Sequence, residues 1–394
     1  MLRHFSLALS FCLSLLLNQP GALAADHAPS SALQVVYLQD DTTLTTYNVD
    51  PQTLNATQVG QPFNLPMTSF NGLAPSLDGK FLYIFGLDSG QNQHLWVFAT
   101  DASGVPQSPA VQQLDANGMS NFELDPVAGF AYALVGTANS QNQTLYDIRR
   151  FTVDSATGKL SSPAIVTKYP LNGSCPTGVL GASPSLNGFS PSGDKFYDNW
   201  FCVTLNDSSL VTYFERTINP QTAALGKEVE VYNWKNHTQG YDTVSFTNNQ
   251  IIDFSIPNPY GQGTNSLSIY PVVPNGTRPL LHCTASMLEA CGDSLGEIVH
   301  PSGKYIFFTI TYYIDQIAKV DLAANQLVYT GHAIPYQVAK FSADGTIVYA
   351  LDVLSSSYNV EIYGFNPATA DVTYAGGLIY APSISDTFWP IARQ

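Results

Sequence analysis

Apolar residues recur along this chain in short runs, each broken within a few residues by Gly, Pro, Asn, Asp or Ser. Leu33-Gln-Val-Val-Tyr-Leu38, Leu95-Trp-Val-Phe-Ala99 and Val360-Glu-Ile-Tyr-Gly-Phe365 are examples. Runs of this length, rich in aromatic and β-branched residues and bounded by turn formers, predict β-strands. One arrangement of run and turn repeats: an apolar residue, a Pro/Ser/Asp/Gly turn, then a strand with an aromatic or β-branched core. Leu73-Ala-Pro-Ser-Leu-Asp-Gly-Lys-Phe-Leu-Tyr83, Phe189-Ser-Pro-Ser-Gly-Asp-Lys-Phe-Tyr197, Val299-His-Pro-Ser-Gly-Lys-Tyr-Ile-Phe307 and Phe341-Ser-Ala-Asp-Gly-Thr-Ile-Val-Tyr349 are four copies. Leu124 to Tyr132 and Phe246 to Ile252 fit the same frame more loosely. The turn chemistry has a cause, because Pro presets φ and Asp-Gly or Ser-Gly supplies the positive φ that folds one strand back on the next.

The strand anchors Tyr83, Tyr132, Tyr197, Ile252, Phe307 and Tyr349 are spaced by 49, 65, 55, 55 and 42 residues. A seventh strand of this kind, around Tyr37, lacks the strand that should precede its turn. The missing piece stands at the other end of the chain, in Asp386-Thr-Phe-Trp-Pro-Ile-Ala392. Seven units of about 53 residues, with a blade divided between the two termini, predict an all-β fold: a seven-bladed β-propeller of four-stranded antiparallel blades. Pairing of the N- and C-terminal strands would close it and remove an open sheet edge. The 65-residue interval contains Cys175, which marks an insertion.

Composition agrees with this picture. Charged residues make up 11% of the chain, against 22 Tyr and 21 Phe, and the 29 Gly and 25 Pro are spread rather than clustered. Strands and uncharged turns use such a mixture better than surface helices do.

The first 24 residues stand apart as an export signal: Arg3 and His4, an apolar run from Leu7 to Leu17, and Ala22-Leu23-Ala24 as the cleavage pattern. The expected organisation is therefore a signal peptide over 1–24 and a single propeller domain over 25–394, secreted or periplasmic. The apolar run is too short to span a membrane, and no later run approaches the length required. Phe11 before Cys12 does not fit a lipoprotein signal. Removing Arg3 leaves 14 basic residues against 30 acidic ones, which excludes nonspecific nucleic-acid binding, since that requires Lys and Arg to neutralise phosphates.

Four cysteines follow the signal, Cys175, Cys202, Cys283 and Cys291, and an even number in an exported protein predicts disulfides. Three connectivities are open. Closeness along the chain favours Cys175 with Cys202 and Cys283 with Cys291. No C-x-x-C pair or His at ligand spacing accompanies them, as a zinc site would require.

The Pro-Ser/Asp-Gly-Lys turns before Phe-Leu-Tyr83, Lys-Phe-Tyr197 and Lys-Tyr305 resemble the Ser-Pro-Asp-Gly-Lys-x-Leu-Tyr-Val motif of seven-bladed lactonase-like and YVTN-type β-propellers. Val153-Asp-Ser-Ala-Thr-Gly-Lys159 is similar to that family's Asp-x-x-Thr-Gly turn, and Phe365-Asn-Pro-Ala-Thr-Ala370 departs from it at Asn366 and Ala370. The resemblance covers most of the mature chain and implies a propeller. The family includes sugar-lactone hydrolases and a muconate-lactonising branch, but none of its catalytic residues maps onto a position here.

Standard catalytic signatures are absent: no G-x-S-x-G elbow, no H-E-x-x-H helix and no P-loop occur. Gly261-Gln-Gly263 lacks the third Gly of a dinucleotide loop and reads as a turn. His27, His94, His237, His282, His300 and His332 are scattered, and His300 occupies a blade turn where other copies carry Ser or Asp, which suits turn capping. Six N-x-S/T sequons occur, at Asn55, Asn142, Asn172, Asn206, Asn236 and Asn275.

Reading back from each apolar anchor gives one polar residue per blade: Asn71, Asn121, Asn187, Asp242, Glu297, Gln337 and Asp386. The strand before each turn should be innermost, so these residues would line the central funnel. Three are acidic and none is basic. Carboxylates and amide oxygens suit sugar hydroxyls and Ca²⁺ alike, and no other cofactor is indicated. Glu297 and Asp386 would form an acid/base pair if the ring brought them close. The expected function is a secreted scaffold binding a small molecule, glycan or protein ligand; the competing one is a lactonase-like hydrolase acting in the funnel.

Overall fold

The computed structural model describes residues 34–40, 42–127, 129–171, 175, 181–190, 193–203, 209–237, 242–247, 250–255, 266–271, 282–283, 296–310, 314–321, 323–324, 326–342, 344–352, 359–380 and 387–392. The export signal, Asp386 and Cys291 lie outside the described residues.

The strands follow one another around the chain in the expected antiparallel groups. The first group is β1 (Gln34–Asp40), β2 (Thr43–Val49) and β3 (Ala56–Asn64). The second is β4 (Ser69–Pro75), β5 (Phe81–Leu87), β6 (Gln93–Ala99) and β7 (Gln112–Asp115). The third is β8 (Met119–Leu124), β9 (Phe130–Ala138), β10 (Thr144–Thr152) and β11 (Ala164–Lys168). Then come β12 (Gly181–Phe189), β13 (Lys195–Val203), β14 (Ser209–Thr217) and β15 (Val229–His237), followed by β16 (Asp242–Thr247), β17 (Gln250–Ser255) and β18 (Ser266–Pro271). After β19 (His282–Cys283) come β20 (Gly296–Val299), β21 (Tyr305–Ile310), β22 (Ile314–Asp321) and β23 (Gln326–Ile334). The last group is β24 (Gln337–Phe341), β25 (Ile347–Asp352), β26 (Asn359–Phe365) and β27 (Val372–Tyr380), before the returning strand β28 (Thr387–Ala392).

The terminal seam forms. β28 pairs antiparallel with β1, from Gln34 opposite Ala392 to Gln39 opposite Thr387, and completes a four-stranded sheet with β2 and β3. Innermost strands touch in succession: β4 with β8, β8 with β12, β16 with β20, β20 with β24, and β24 with β28.

The blade count is corrected from seven to six. Six sheets hold four or more strands, whereas β16–β18 has only three among the described residues. The reason lies in β19. Instead of extending β18, it runs parallel along the outer edge of the next sheet, with His282 opposite Gln326 and Cys283 opposite Leu327.

The core explains why second strands such as β1, β5, β9 and β25 carry apolar residues on both faces rather than alternating. Successive side chains on a strand point to opposite faces, and in a ring both faces are covered by neighbouring blades. Thus Leu82 and Ile84 of β5 pack back on Val35 and Tyr37 of β1. Tyr83 and Phe85, on the other face, pack forward on Phe122 and Ala133. Tyr132 and Leu134 meet Phe189 and Trp200 in the same way, and Tyr349 and Val360 meet Val36 and Leu38 across the terminal seam. Each such fully buried side chain stabilises the ring by roughly 1.5–3 kcal/mol.

Two turn families finish the blades. In the inner hairpins the Ser side chain caps the turn: Phe81 N–H donates to Ser76 Oγ at 3.0 Å, Lys195 N–H to Ser190 Oγ at 3.1 Å and Ile347 N–H to Ser342 Oγ at 2.9 Å. In the outer turns an Asp or Asn heads the loop, as where Asp154 Oδ1 accepts from the Ala156 N–H at 2.9 Å. The two families interlock between blades. Tyr37 donates to Gly104 O (2.6 Å), Tyr83 to Gly158 O (2.9 Å), Tyr132 to Ala223 O (3.0 Å) and Tyr305 to Pro367 O (3.1 Å).

Of the expected disulfides, Cys175–Cys202 forms, with the two Cα atoms 5.7 Å apart, and ties the long connection between β11 and β12 to β13. Cys283 lies on β19, and its expected partner Cys291 is outside the described residues.

Candidate functional site at the mouth of the ring

Because neighbouring strands are antiparallel, the turns joining second to third strands share one end of the ring with the starts of the innermost strands. This end is called the mouth here. The inner hairpin turns and the Asp/Asn-headed outer turns occupy the opposite end.

Each funnel candidate within the described residues stands on an innermost strand: Asn71 on β4, Asn121 on β8, Asn187 on β12, Asp242 on β16, Glu297 on β20 and Gln337 on β24. Asp242 faces Ser255 in register, Glu297 faces Phe308 and Gln337 faces Leu351. Their positions are not equivalent. Counted back from the turn residue whose N–H closes each inner hairpin, Asn71 and Gln337 stand five before, Asn121 four before, and Asn187 and Glu297 three before. Register shifts on β4, β8, β12 and β24 add to the differences. Asn71 and Asn187 are themselves the residues passed over at a bulge. Among the described residues no hydrogen bond joins two members of the set, although Asn187 Nδ2 donates to Asn199 Oδ1 at 3.1 Å. Nor do three His, Cys, Asp or Glu side chains come together there to hold a metal ion.

The structure adds groups at this end that sequence reasoning missed. Asp315, at the start of β22, is fully buried; its Oδ2 accepts the Val338 N–H of the neighbouring blade at 2.9 Å. Its Oδ1 is buried without a hydrogen-bond partner. Burial pushes the carboxyl up to about 7, against the opposing pull of the Thr309 hydroxyl and the Val338 N–H. Gln337 immediately precedes Val338, so Asp315 stands beside a predicted funnel position.

Tyr336 is the next residue back. Burial raises its phenol, and the carboxylates of Asp352 and Glu361 add to the rise. Lys340 brings a base to the same innermost strand, with its amine pulled down to about 7 by desolvation. It pairs across the ladder with Tyr349, so it belongs to the face turned towards the first blade. No sequence signal marked Asp315, because an Asp beside Ile314 and near Ile317 reads as an ordinary strand end.

His300 takes the capping role expected of it. Its Nδ1 accepts the Ser302 N–H at 3.1 Å, and its Nε2 lies 2.9 Å from Gly345 O in the adjacent blade's turn. Burial pulls the ring down to about 4, so it is neutral, with the proton on Nε2. His300 is at the end away from the mouth. A depression of about 480 Å³ lined by Lys319, Val320, Asp321 and Val328 reaches the outer turn that Asp321 heads, also at that end. It contains none of the funnel candidates. No described helix is long and apolar enough to cross a membrane.

This closed ring of antiparallel blades is a β-propeller. No protein-family model matches the chain, and no curated protein is similar to it in sequence. Solved structures are similar in fold. A 6-phosphogluconolactonase-like protein from Bacteroides fragilis superposes with a TM-score of 0.57 at 16% identity, covering 92% of this chain and 99% of that one. Puromycin hydrolase gives 0.55 at 13% identity, and prolyl oligopeptidase B from Galerina marginata gives 0.52 at 10%. The matches cover 94% and 96% of this chain but only 58% and 54% of those two. At these identities the likeness is one of fold: a β-propeller with lactonase-like neighbours.

Proposed function

We propose that this protein is a secreted β-propeller scaffold that binds a small polyhydroxylated ligand at the mouth of its ring. The observation that carries the binding reading is the placement of polar residues, with Asn71, Asn121, Asn187, Asp242, Glu297 and Gln337 all on innermost strands. Amide and carboxylate oxygens accept from sugar hydroxyls, and the aromatic ring of Tyr336 beside Gln337 offers an apolar face to a sugar. Calorimetric titration of the mature protein with a sugar panel, with and without Ca²⁺, tests this. An Asp242→Ala, Glu297→Ala, Asp386→Ala variant should lose the binding, and unchanged binding would move the site to the loops.

A second reading has one observation in its favour. Asp315, poised at about 7 beside Gln337, has the protonation behaviour of a general acid or base for opening a lactone ring. The 6-phosphogluconolactonase-like neighbour supports it at the level of fold. Hydrolysis of sugar lactones that disappears in Asp315→Asn, in a variant that still folds, would favour the enzyme over the scaffold.

A further inference from the structure

Asn is common in the turns of this protein, and its usual work there is to cap the backbone. The capping asparagines are identifiable. Asn139 Oδ1 accepts from the N–H groups of Gln141 and Gln143, both at 2.9 Å. Asn219 Oδ1 accepts from Gln221 and Thr222 at 3.0 Å, and Asn366 Oδ1 from Ala368 at 2.9 Å. None of these three is followed by x-Ser/Thr.

The two sequon asparagines whose side chains the structure describes behave in the opposite way. Asn55 and Asn142 are both exposed, and so are the hydroxyl residues of their sequons, Thr57 and Thr144. Their backbones are engaged: Asn55 O accepts from the Asp50 N–H at 3.0 Å, and Asn142 N–H donates to Asn139 O at 3.0 Å. Their side-chain amides make no hydrogen bond among the described residues, because Asp50 and Asn139 already head those turns.

The fold does not require Asn at either position. Asn55 corresponds to Lys159, Ala224 and Asp371 in other outer turns, since the backbone O of each accepts the N–H of the residue five before it. Asn142 is held at φ 58°, and the corresponding turn of the preceding blade holds Gln91 at φ 60° with the same bond to its heading residue, Asp88. Left-handed backbone therefore does not explain the choice of Asn.

We propose that Asn55 and Asn142 are N-glycosylation sites. Asn142 would carry its glycan at the mouth end of the ring and Asn55 at the opposite end. The inference rests on the export reading. The reaction needs a lipid-pyrophosphate-linked oligosaccharide as donor. Asn Nδ2 attacks C1 of the first sugar, the C–N bond forms, and the C–O bond to the pyrophosphate breaks. Lipid pyrophosphate leaves with the bonding pair, and the amide proton passes to a base of the transferase. The Thr two residues on meets the acceptor requirement of the sequon.

The full chain expressed in a eukaryotic secretory host, treated with peptide N-glycosidase F in ¹⁸O-water, tests the assignment. Peptides carrying Asn55 and Asn142 should each show ¹⁸O-labelled Asp. Thr57→Ala should abolish the label at Asn55 alone and Thr144→Ala that at Asn142 alone, both with unchanged melting temperature. Protein that keeps its first 24 residues and stays in the cytosol would show failure of the export reading. The same chain behind an established secretory leader then reads the two asparagines independently. Unlabelled Asn55 and Asn142 in protein recovered from the medium would overturn the proposal.

Discussion

The seam between the β20–β23 and β24–β27 blades is closed in opposite ways at its two ends. Away from the mouth, neutral His300 has both ring nitrogens engaged, one by Ser302 and the other by Gly345 of the next blade. The fit is tight enough that a Cβ added at Gly345 would stand 2.3 Å from Nε2. At the mouth, Asp315 is as deeply buried and also reaches the next blade, but only one of its oxygens is satisfied. A buried polar group left half-satisfied costs stability. The far end is thus built to hold, whereas the mouth carries a group whose charge the fold suppresses, and such groups cluster where proteins bind or react.

The largest test opens the ring as a whole. Deleting the chain after Ser385 removes β28, leaves β1 as an unpaired inner edge and exposes the apolar seam. Loss of cooperative unfolding and onset of aggregation are expected, and a truncated protein that melts like the parent would refute closure by β28.

The mouth end should respond next. Asp315 has a folded value of about 7, above its ordinary 3.8, so the folded state binds the extra proton and stability is lost as pH rises from about 4 through 7. Asp315→Asn mimics the neutral form and should gain up to about 4 kcal/mol over the parent at pH 8 while matching it at pH 4. Denaturant titration at the two pH values measures this, and a constant difference would mean that Asp315 is charged in the fold.

The far end should show the reverse slope. His300 is lowered from 6.5 to about 4, so the unfolded state takes the proton first and stability falls as pH drops from about 6.5 through 4. The loss is about 3 kcal/mol. His300→Gln should flatten that acid limb, as followed by melting temperature between pH 7 and 4. The smallest expected effect is that of Tyr83→Phe, which leaves Gly158 O without its inter-blade donor and should cost about 1–2 kcal/mol at neutral pH. A variant as stable as the parent would show that packing alone joins those blades.

Much of the architecture is legible in the sequence. The Ser/Pro-x-x-Gly turns, the apolar second strands and the division of one blade between the termini are local patterns, and local turn chemistry and strand pairing are what a sequence encodes most directly. The loop at Cys175 and its bridge to Cys202 were also within reach, since a long interval and a nearby thiol both leave a mark. The three-stranded β16–β18 sheet was not, because whether β19 joins β18 or the edge of the next sheet is decided by which edge is free in space.

The candidate site divides in the same way. Sequence sufficed to place Asn71, Asn121, Asn187, Asp242, Glu297 and Gln337 on innermost strands, because each precedes a recognisable turn. It could not align them, because a single bulged residue such as Asn71 or Asn187 shifts the pleat and turns a side chain to the other face. Nor could it separate Asp315 or Lys340 from ordinary strand residues. Their shifted protonation comes from burial in the assembled ring, and desolvation by segments distant in the chain has no signature in the residues it acts upon.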